Sequence, residues 1–245
     1  EYSLTDMAGN TYEWTSLGTV GDDNPTLPGA AGATFDGTWV GNKYTATINF
    51  PFHVSKEGGV INATTIASFN ADKYWHAVGS DVKVQTNGYD KTNDWLWAIY
   101  PKCENGNFSF TIKNLGKNAF VYTTASGSKL NTQSTVVLNS KATGFTVELM
   151  DGVPCFKYAQ GQYLSINSSS DNNVYLGVHT STHGGTKCHF SLVKTISPAA
   201  KIGEVGYETF DKAYTAAKNG DVIELFETAV ITNMIANYNN SSRIS

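Results

Sequence analysis

What this chain lacks narrows it before what it contains does. Charged residues are only 16% of it, well below the roughly 25% usual in soluble domains. No cluster of Lys or Arg interrupts a formal charge of −4. Proteins hold phosphate backbones through accumulated positive charge, so nucleic acid is not expected as a partner. No apolar run reaches the roughly 18–20 residues a membrane-crossing helix needs, so no membrane span is expected. Gly-x-Ser-x-Gly, Gly-x-x-x-x-Gly-Lys, His-Glu-x-x-His and Gly-x-Gly-x-x-Gly are all missing, so no catalytic motif stands out and no cofactor is expected. Cysteine is confined to Cys103, Cys155 and Cys188, whose separations do not suit a zinc motif. Cys155 and Cys188 could bridge; buried free thiols are the alternative.

What is present is a hydrophobic content of 40% and a surface left to Asn, Thr, Ser and Gly. That composition is common in secreted β-proteins, and the expected location is secreted or on a cell surface. The chain starts at Glu1 without Met, which a removed signal peptide, an upstream domain or cloning would explain equally. Its 245 residues are enough for one large or two modest domains.

An aromatic-containing doublet recurs at nearly equal intervals: Tyr74-Trp75, Phe120-Val121 and Tyr163-Leu164. A fixed period of this order marks a repeat architecture. Around the second doublet stand Trp97-Ala98-Ile99, Gly106, Phe108 to Ile112 and Gly116; around the third, Phe145-Thr146-Val147, Gly152, Phe156 to Tyr158 and Gly161. Apolar and polar residues alternate, the period of strands with one buried face. Val136 with Leu138, and Val174 with Leu176, close these two units. The first unit is more degenerate, with Ile48, Phe50 and Phe52 as first strand, Ile66 and Phe69 as second, Tyr74-Trp75 as third, and Val82 with Val84 as fourth. Three units of four strands make a β-trefoil; an ordinary β-sandwich is the alternative.

Residues 95–195 resemble β-trefoil domains of the ricin-B and fascin type. The resemblance rests on Gly106 to Asn114 followed by Phe120-Val121, and on Gly161-Gln162-Tyr163-Leu164. Ricin-type sugar binders also carry a Gln-x-Trp element in each unit, and none occurs here, which counts against sugar binding of that kind. The expected fold is all-β: a β-extension at 1–45, a β-trefoil at 46–196, and a short β-α-β segment at 197–245. The extension reads as two hairpins, one around Gly9-Asn10 and one around Gly41-Asn42. In the last segment Phe210, Ala213, Tyr214 and Ala217 form one apolar helical stripe, with Thr209 to cap it and Asn219-Gly220 to end it. The run from Lys201 to Leu225 resembles the entrance cap of bacterial extracellular right-handed β-helices. Without the solenoid, the strand at Val222 to Leu225 would leave backbone groups unpaired, so it is expected to pair near residues 1–14 or with another copy. Ala229-Val230-Ile231 reads as a further strand.

Candidate chemistry is thin. His179 and His183 stand four apart but in a loop, where solvation explains them better than a metal. Asp81, Asp90, Asp94 and Asp171 lie in polar loops and read as turn-forming carboxylates; calcium on Asp90, Asn93 and Asp94 lacks EF-hand spacing. The sharper candidate is a glycan platform. Trp95, expected exposed at a strand mouth beside Asn93 and Asp94, would cover a pyranose face while the amide and carboxylate take hydroxyls; Tyr89, Trp75 and His76 would add to it. Trp97 is assigned to the core. The leading functional reading is a non-catalytic module of a larger secreted bacterial surface protein, binding glycan weakly or acting as a spacer. Structural or adhesive support for a downstream β-helix, and an accessory role in a glycan-processing hydrolase, are the alternatives.

Overall fold

A computed structural model describes residues 1–15, 27–59, 61–68, 73–86, 92–123, 134–158, 161–166, 173–178, 190–196, 200–203, 205–207 and 210–225. Among the described residues the named elements are strands apart from one short helix and a 3-10 turn at Asn93–Trp95.

The chain opens with β1 (Tyr2–Asp6), β2 (Thr11–Trp14), β3 (Thr34–Val40) and β4 (Lys43–Asn49), ordered β2-β1-β4-β3 in a four-stranded sheet. Both expected hairpins form, and β1 joins them by pairing parallel with β4. Alternation decides the inner face: Tyr2, Leu4, Tyr12, Tyr44, Ala46 and Ile48 are buried, while Ser3, Thr5, Lys43, Thr45 and Thr47 point outward.

Twelve strands follow: β5 (Ala63–Ser68), β6 (Lys73–Val78), β7 (Asp81–Thr86), β8 (Trp97–Glu104), β9 (Asn107–Asn114), β10 (Ala119–Thr123), β11 (Ser134–Asn139), β12 (Thr146–Met150), β13 (Val153–Tyr158), β14 (Gln162–Ile166), β15 (Val174–Val178) and β16 (Phe190–Ile196). Their pairings map onto themselves when every strand is advanced by four. Thus β5–β6 becomes β9–β10 and then β13–β14. The hairpins β6–β7, β10–β11 and β14–β15 are equivalent. So are β8–β9, β12–β13 and the closing pair β16–β5. That permutation is the strand order of a β-trefoil: six strands around a barrel and three hairpins across one end.

The doublets occupy equivalent places. Tyr74 faces Ala67 and Gln85, Phe120 faces Lys113 and Asn139, and Tyr163 faces Lys157 and Gly177. The second residue of each doublet turns inward, giving the buried cross-strand pairs Trp75–Val84, Val121–Leu138 and Leu164–Leu176. A layer below, Ile66, Ile112 and Phe156 fill the barrel. The matching turns β8–β9 and β12–β13 are both two-residue turns at positive φ, Asn105-Gly106 and Asp151-Gly152.

Unit one departs from expectation. Its first strand is not at Ile48 to Phe52; that place is taken by β16 from the far end of the barrel, which pairs with β5. Ile48 instead lies near the end of β4, opposite Phe35 and Asp6, so a division at residue 45 cuts through a strand. Alternating hydrophobicity reports a buried face; it does not say in which sheet. Phe69 lies outside the described residues.

The first sheet and the barrel share one core. Tyr12 and Phe50 pack edge-on against Phe108 with ring centroids 5.1 and 5.7 Å away, and Phe52 meets Phe110 and Phe156 at 5.2 and 5.8 Å. A short stretch before β3 also enters the barrel wall. Phe108 N–H donates to Pro28 O (2.8 Å), Val147 N–H to Gly29 O (2.7 Å) and Ala31 N–H to Val147 O (3.2 Å). It therefore fills the seam between β9 and β12, where Phe110 of β9 meets Phe145 just before β12.

At the other end β17 (Ala200–Ile202), β18 (Val205–Tyr207), α1 (Phe210–Ala216) and β19 (Ile223–Leu225) form a small unit with sheet order β18-β17-β19. The strand at Ile223–Leu225 pairs with β17, not with residues 1–14 as expected, because the hairpin β17–β18 supplies a nearer edge. Helix α1 buries Ala213, and its stripe is otherwise partly open, with Tyr214 exposed. It ends at Ala216, before Asn219-Gly220, whose turn is closed separately by Asp221 N–H on Lys218 O. Thr209 and Ala229 to Ile231 lie outside the described residues.

Candidate functional site

The expected platform is rearranged. Trp95 is buried, at 4% exposure. Strand β8 begins only at Trp97, so the two-residue alternation that would put Trp95 and Trp97 on one face does not extend back to Trp95. Asn93–Trp95 form a 3-10 turn instead, which lays the Trp95 ring against His76, centroids 4.5 Å apart and 15° from parallel. Trp75 is also buried, edge-on to Trp97 at 5.9 Å. Trp97 is wholly buried, as assigned, and its Nε1 donates to Trp75 O at 3.2 Å. Neither Trp95 nor Trp75 offers an open ring face. Tyr89 lies outside the described residues, as do Asp90, Asp171, His179, His183 and Cys188. Cys103 is a half-buried free thiol, and Cys155 is buried.

Asn93 and Asp94 are half-buried and tied to the β9–β10 turn. Gly116 N–H donates to Asn93 O (3.0 Å), Leu115 N–H to Leu96 O (2.9 Å), and Asn114 Nδ2 to Asp94 O (2.8 Å). Asn114 is fully buried, so the last residue of the 106–114 motif is the clamp that holds this turn. Lys117 Nζ reaches Asp94 Oδ2 at 3.0 Å. Burial pushes the phenol of Tyr207, from β18, up, and its interaction with the Asn93 side chain opposes the shift.

What faces outward here is the β6–β7 hairpin. Tyr74 and His76 share a face with Gln85 and Lys83, their cross-strand partners. Tyr74, His76 and Lys83 are half-buried and Gln85 is exposed. His76 thus has Trp95 behind it and Asp94 next along the chain from that ring.

A second polar cluster was not anticipated. On the third unit, Glu148 receives Lys157 Nζ on one oxygen and the Tyr163 hydroxyl on the other, the latter at 2.7 Å. Burial pushes the Glu148 carboxyl up, but the bonds from Lys157 and Tyr163 and the Lys157 charge outweigh it and hold it below the usual range. The equivalent positions of unit two are Lys113 and Phe120, where the ammonium lies 5.6 Å over the ring instead. No spacing in the sequence signals the cluster: Lys157 and Tyr163 stand six apart, whereas the structurally equivalent Lys113 and Phe120 stand seven apart.

A depressed carboxyl stabilises the fold above its unfolded pKa and loses that contribution as pH falls through the folded value. Glu148→Gln should therefore lower the melting temperature at neutral pH, with the gap to wild type closing below about pH 4. The half-exposed setting keeps the effect below about 1 kcal/mol. Melting curves from neutral to acid pH check it, and a gap unchanged with pH would contradict it.

Among the described residues, no group of His, Cys, Asp or Glu could hold a metal ion, and no helix is long and apolar enough to cross a membrane. Asp81, Asp94 and Glu148 each have a lysine within ion-pair distance.

No protein-family model and no curated protein matches the chain. Solved structures similar to parts of it include the Rhizoctonia solani agglutinin, at 11% identity over 59% of this chain and 99% of that one, TM-score 0.45. The Polyporus squamosus lectin, solved with Neu5Acα2-6Galβ1-4GlcNAc, is similar at 14% identity over 68% and 61%, TM-score 0.45. A GlcNAcα1-4Gal-releasing endo-β-galactosidase from Clostridium perfringens is similar at 11% identity and TM-score 0.41, over 54% of this chain; the chain spans about a third of that enzyme, 32%.

Proposed function

We propose that this chain is a non-catalytic module of a larger secreted or surface protein, and that it binds glycan weakly on the outward face of the β6–β7 hairpin. The observation that carries the reading is the near-parallel stack of half-buried His76 on buried Trp95. It fixes a flat ring on a rigid support, beside Tyr74 and within a setting of Gln85, Lys83, Asn93 and Asp94. A pyranose offers an apolar C–H face and a rim of hydroxyls; a held ring and a rim of amide, ammonium and carboxylate are the matching chemistry. Glu148, held below its usual range by Lys157 and Tyr163, does not suit the part of the acid that glycoside hydrolysis keeps protonated near neutral pH, which supports a non-catalytic role. The low charge and the Asn, Thr, Ser and Gly content support an extracellular location.

The buried Trp95 changes the choice of probe, since Trp95→Ala would remove core packing as well. His76→Ala and Asp94→Asn are the cleaner variants. On a glycan array, wild type should bind a subset of glycans weakly, and each variant should lose about 3- to 10-fold in affinity, the worth of one stacking contact or hydrogen bond. Binding that is unchanged in both variants moves the site elsewhere. If wild type binds no glycan, the spacer reading replaces this one; the core shared between the first sheet and the barrel favours it as the second choice, because it makes the two a rigid unit.

A further inference from the structure

The outer edge of β3 has no partner strand among the described residues, and we infer that it pairs with the same edge of a second copy. Among the described residues, β3 pairs with β4 and with no other strand. Its seven residues pair without a break in register from Thr34 to Val40. Native edges are usually blunted by Lys, Pro, a bulge or a very short strand. Here the strand reads Thr-Phe-Asp-Gly-Thr-Trp-Val, with Asp36 as its one charge.

The sequence of this edge is self-complementary about Gly37. An antiparallel pair with its two-fold axis at Gly37 sets Asp36 opposite Thr38, Phe35 opposite Trp39 and Thr34 opposite Val40 of the other copy. No like charges meet. On the inner face Phe35 and Trp39 are half-buried, both in contact with Tyr44 at 6.3 and 5.4 Å, and the pairing brings Phe35 of each copy to Trp39 of the other. On the outer face Val40, 74% exposed, gains cover from Thr34. Aromatic cross-strand pairs of this kind are stabilising, and the contact is isologous, so it closes as a dimer and does not propagate. A two-fold register with matched aromatics and without charge repulsion favours a second copy over an unrelated strand.

Thr38 is exposed and lies outside the proposed glycan face, so it can be changed without touching either core or site. Thr38→Asp places carboxylates opposite one another twice across the axis, whereas Thr38→Lys places a lysine opposite each Asp36. Sedimentation equilibrium across about a hundred-fold range of concentration should show wild type in monomer–dimer exchange. Thr38→Asp should weaken the dimer about tenfold or more, with partial recovery in high salt, and Thr38→Lys should hold or tighten it. Circular dichroism should be alike for all three. A wild type that is monomeric throughout overturns the inference, as does equal dimerisation of the Asp and Lys variants.

Discussion

Gly29→Ala should be among the most damaging single substitutions available in this protein. Gly29 sits at φ +81°, and a Cβ there would lie 2.1 Å from the carbonyl oxygen of Phe108. The neighbours cannot retreat. Phe108 N–H is held by Pro28 O, Val147 N–H by Gly29 O, and the Phe108 ring is buried against Tyr12 and Phe50. The left-handed backbone alone costs a residue with Cβ about 1–2 kcal/mol, and forcing an atom into packed structure adds about 1–3 kcal/mol. A loss of about 3–5 kcal/mol in urea unfolding is expected, a large part of a typical domain's stability. Gly9 supplies the control: its φ is +80°, but a Cβ there has nothing within 4 Å. Gly9→Ala should show the backbone cost alone, about 1–2 kcal/mol. Equal losses in the two variants would mean that the Gly29 stretch does not lie in the barrel wall.

Asp6→Ala should cost about as much, for a different reason. The Asp6 carboxylate is 5% exposed and accepts from Ala8 N–H (2.9 Å), Asn10 N–H (3.0 Å), Asn10 Nδ2 (2.8 Å) and the Tyr12 hydroxyl (2.5 Å). It builds the β1–β2 turn, and Asn10 Nδ2 carries the network on to Ser55 O at 3.2 Å, beyond the first sheet. Removing the acceptor strands buried donors, each worth about 1–3 kcal/mol when left unmade. A loss of about 3–5 kcal/mol is expected from chemical denaturation. The same pair sets an alkaline limit. Burial, then the hydrogen bond and charge of Asp6, push the Tyr12 phenol far above its ordinary value of 10.0. The stability this represents is complete below pH 10 and falls as the unfolded phenol ionises above it. Wild type should therefore lose stability steeply in alkali. Asp6→Asn, which removes the charge but leaves the burial, should flatten that limb in part; a parallel decline in the two proteins would separate Asp6 from the effect.

The parts of the fold legible in the sequence were those encoded locally and repeated. The doublets, the inward-facing valines and leucines and the turn glycines recur because each unit meets the same environment, and all three doublets fall on equivalent strands. What the sequence left hidden was pairing between distant segments. Nothing in Phe190 to Ile196 says that it closes the barrel against Ala63 to Ser68, and nothing in Ile48 says that its buried side belongs to the first sheet. The same gap explains the site. Asn93-Asp94-Trp95 reads as a strand mouth with an open tryptophan, because the 3-10 turn that inverts Trp95 depends on Asn114 and Gly116 from another hairpin. His76 was among the expected binding residues, but as an accessory; its place over Trp95 follows from tertiary contact alone. Glu148, Lys157 and Tyr163 were invisible as a group for the same reason.

The measurement closest to the centre of this account is a set of cross-strand backbone contacts by NMR. Contacts joining Ile66 to Leu192, Val137 to Asp81, Ser134 to Leu176 and Ala30 to Val147 should all be present in one folded species. The first closes the barrel, the next two join the three hairpins across its end, and the last seats the N-terminal stretch in its wall. A folded protein in which Leu192 pairs elsewhere, or in which β11 touches only one of β7 and β15, would contradict it.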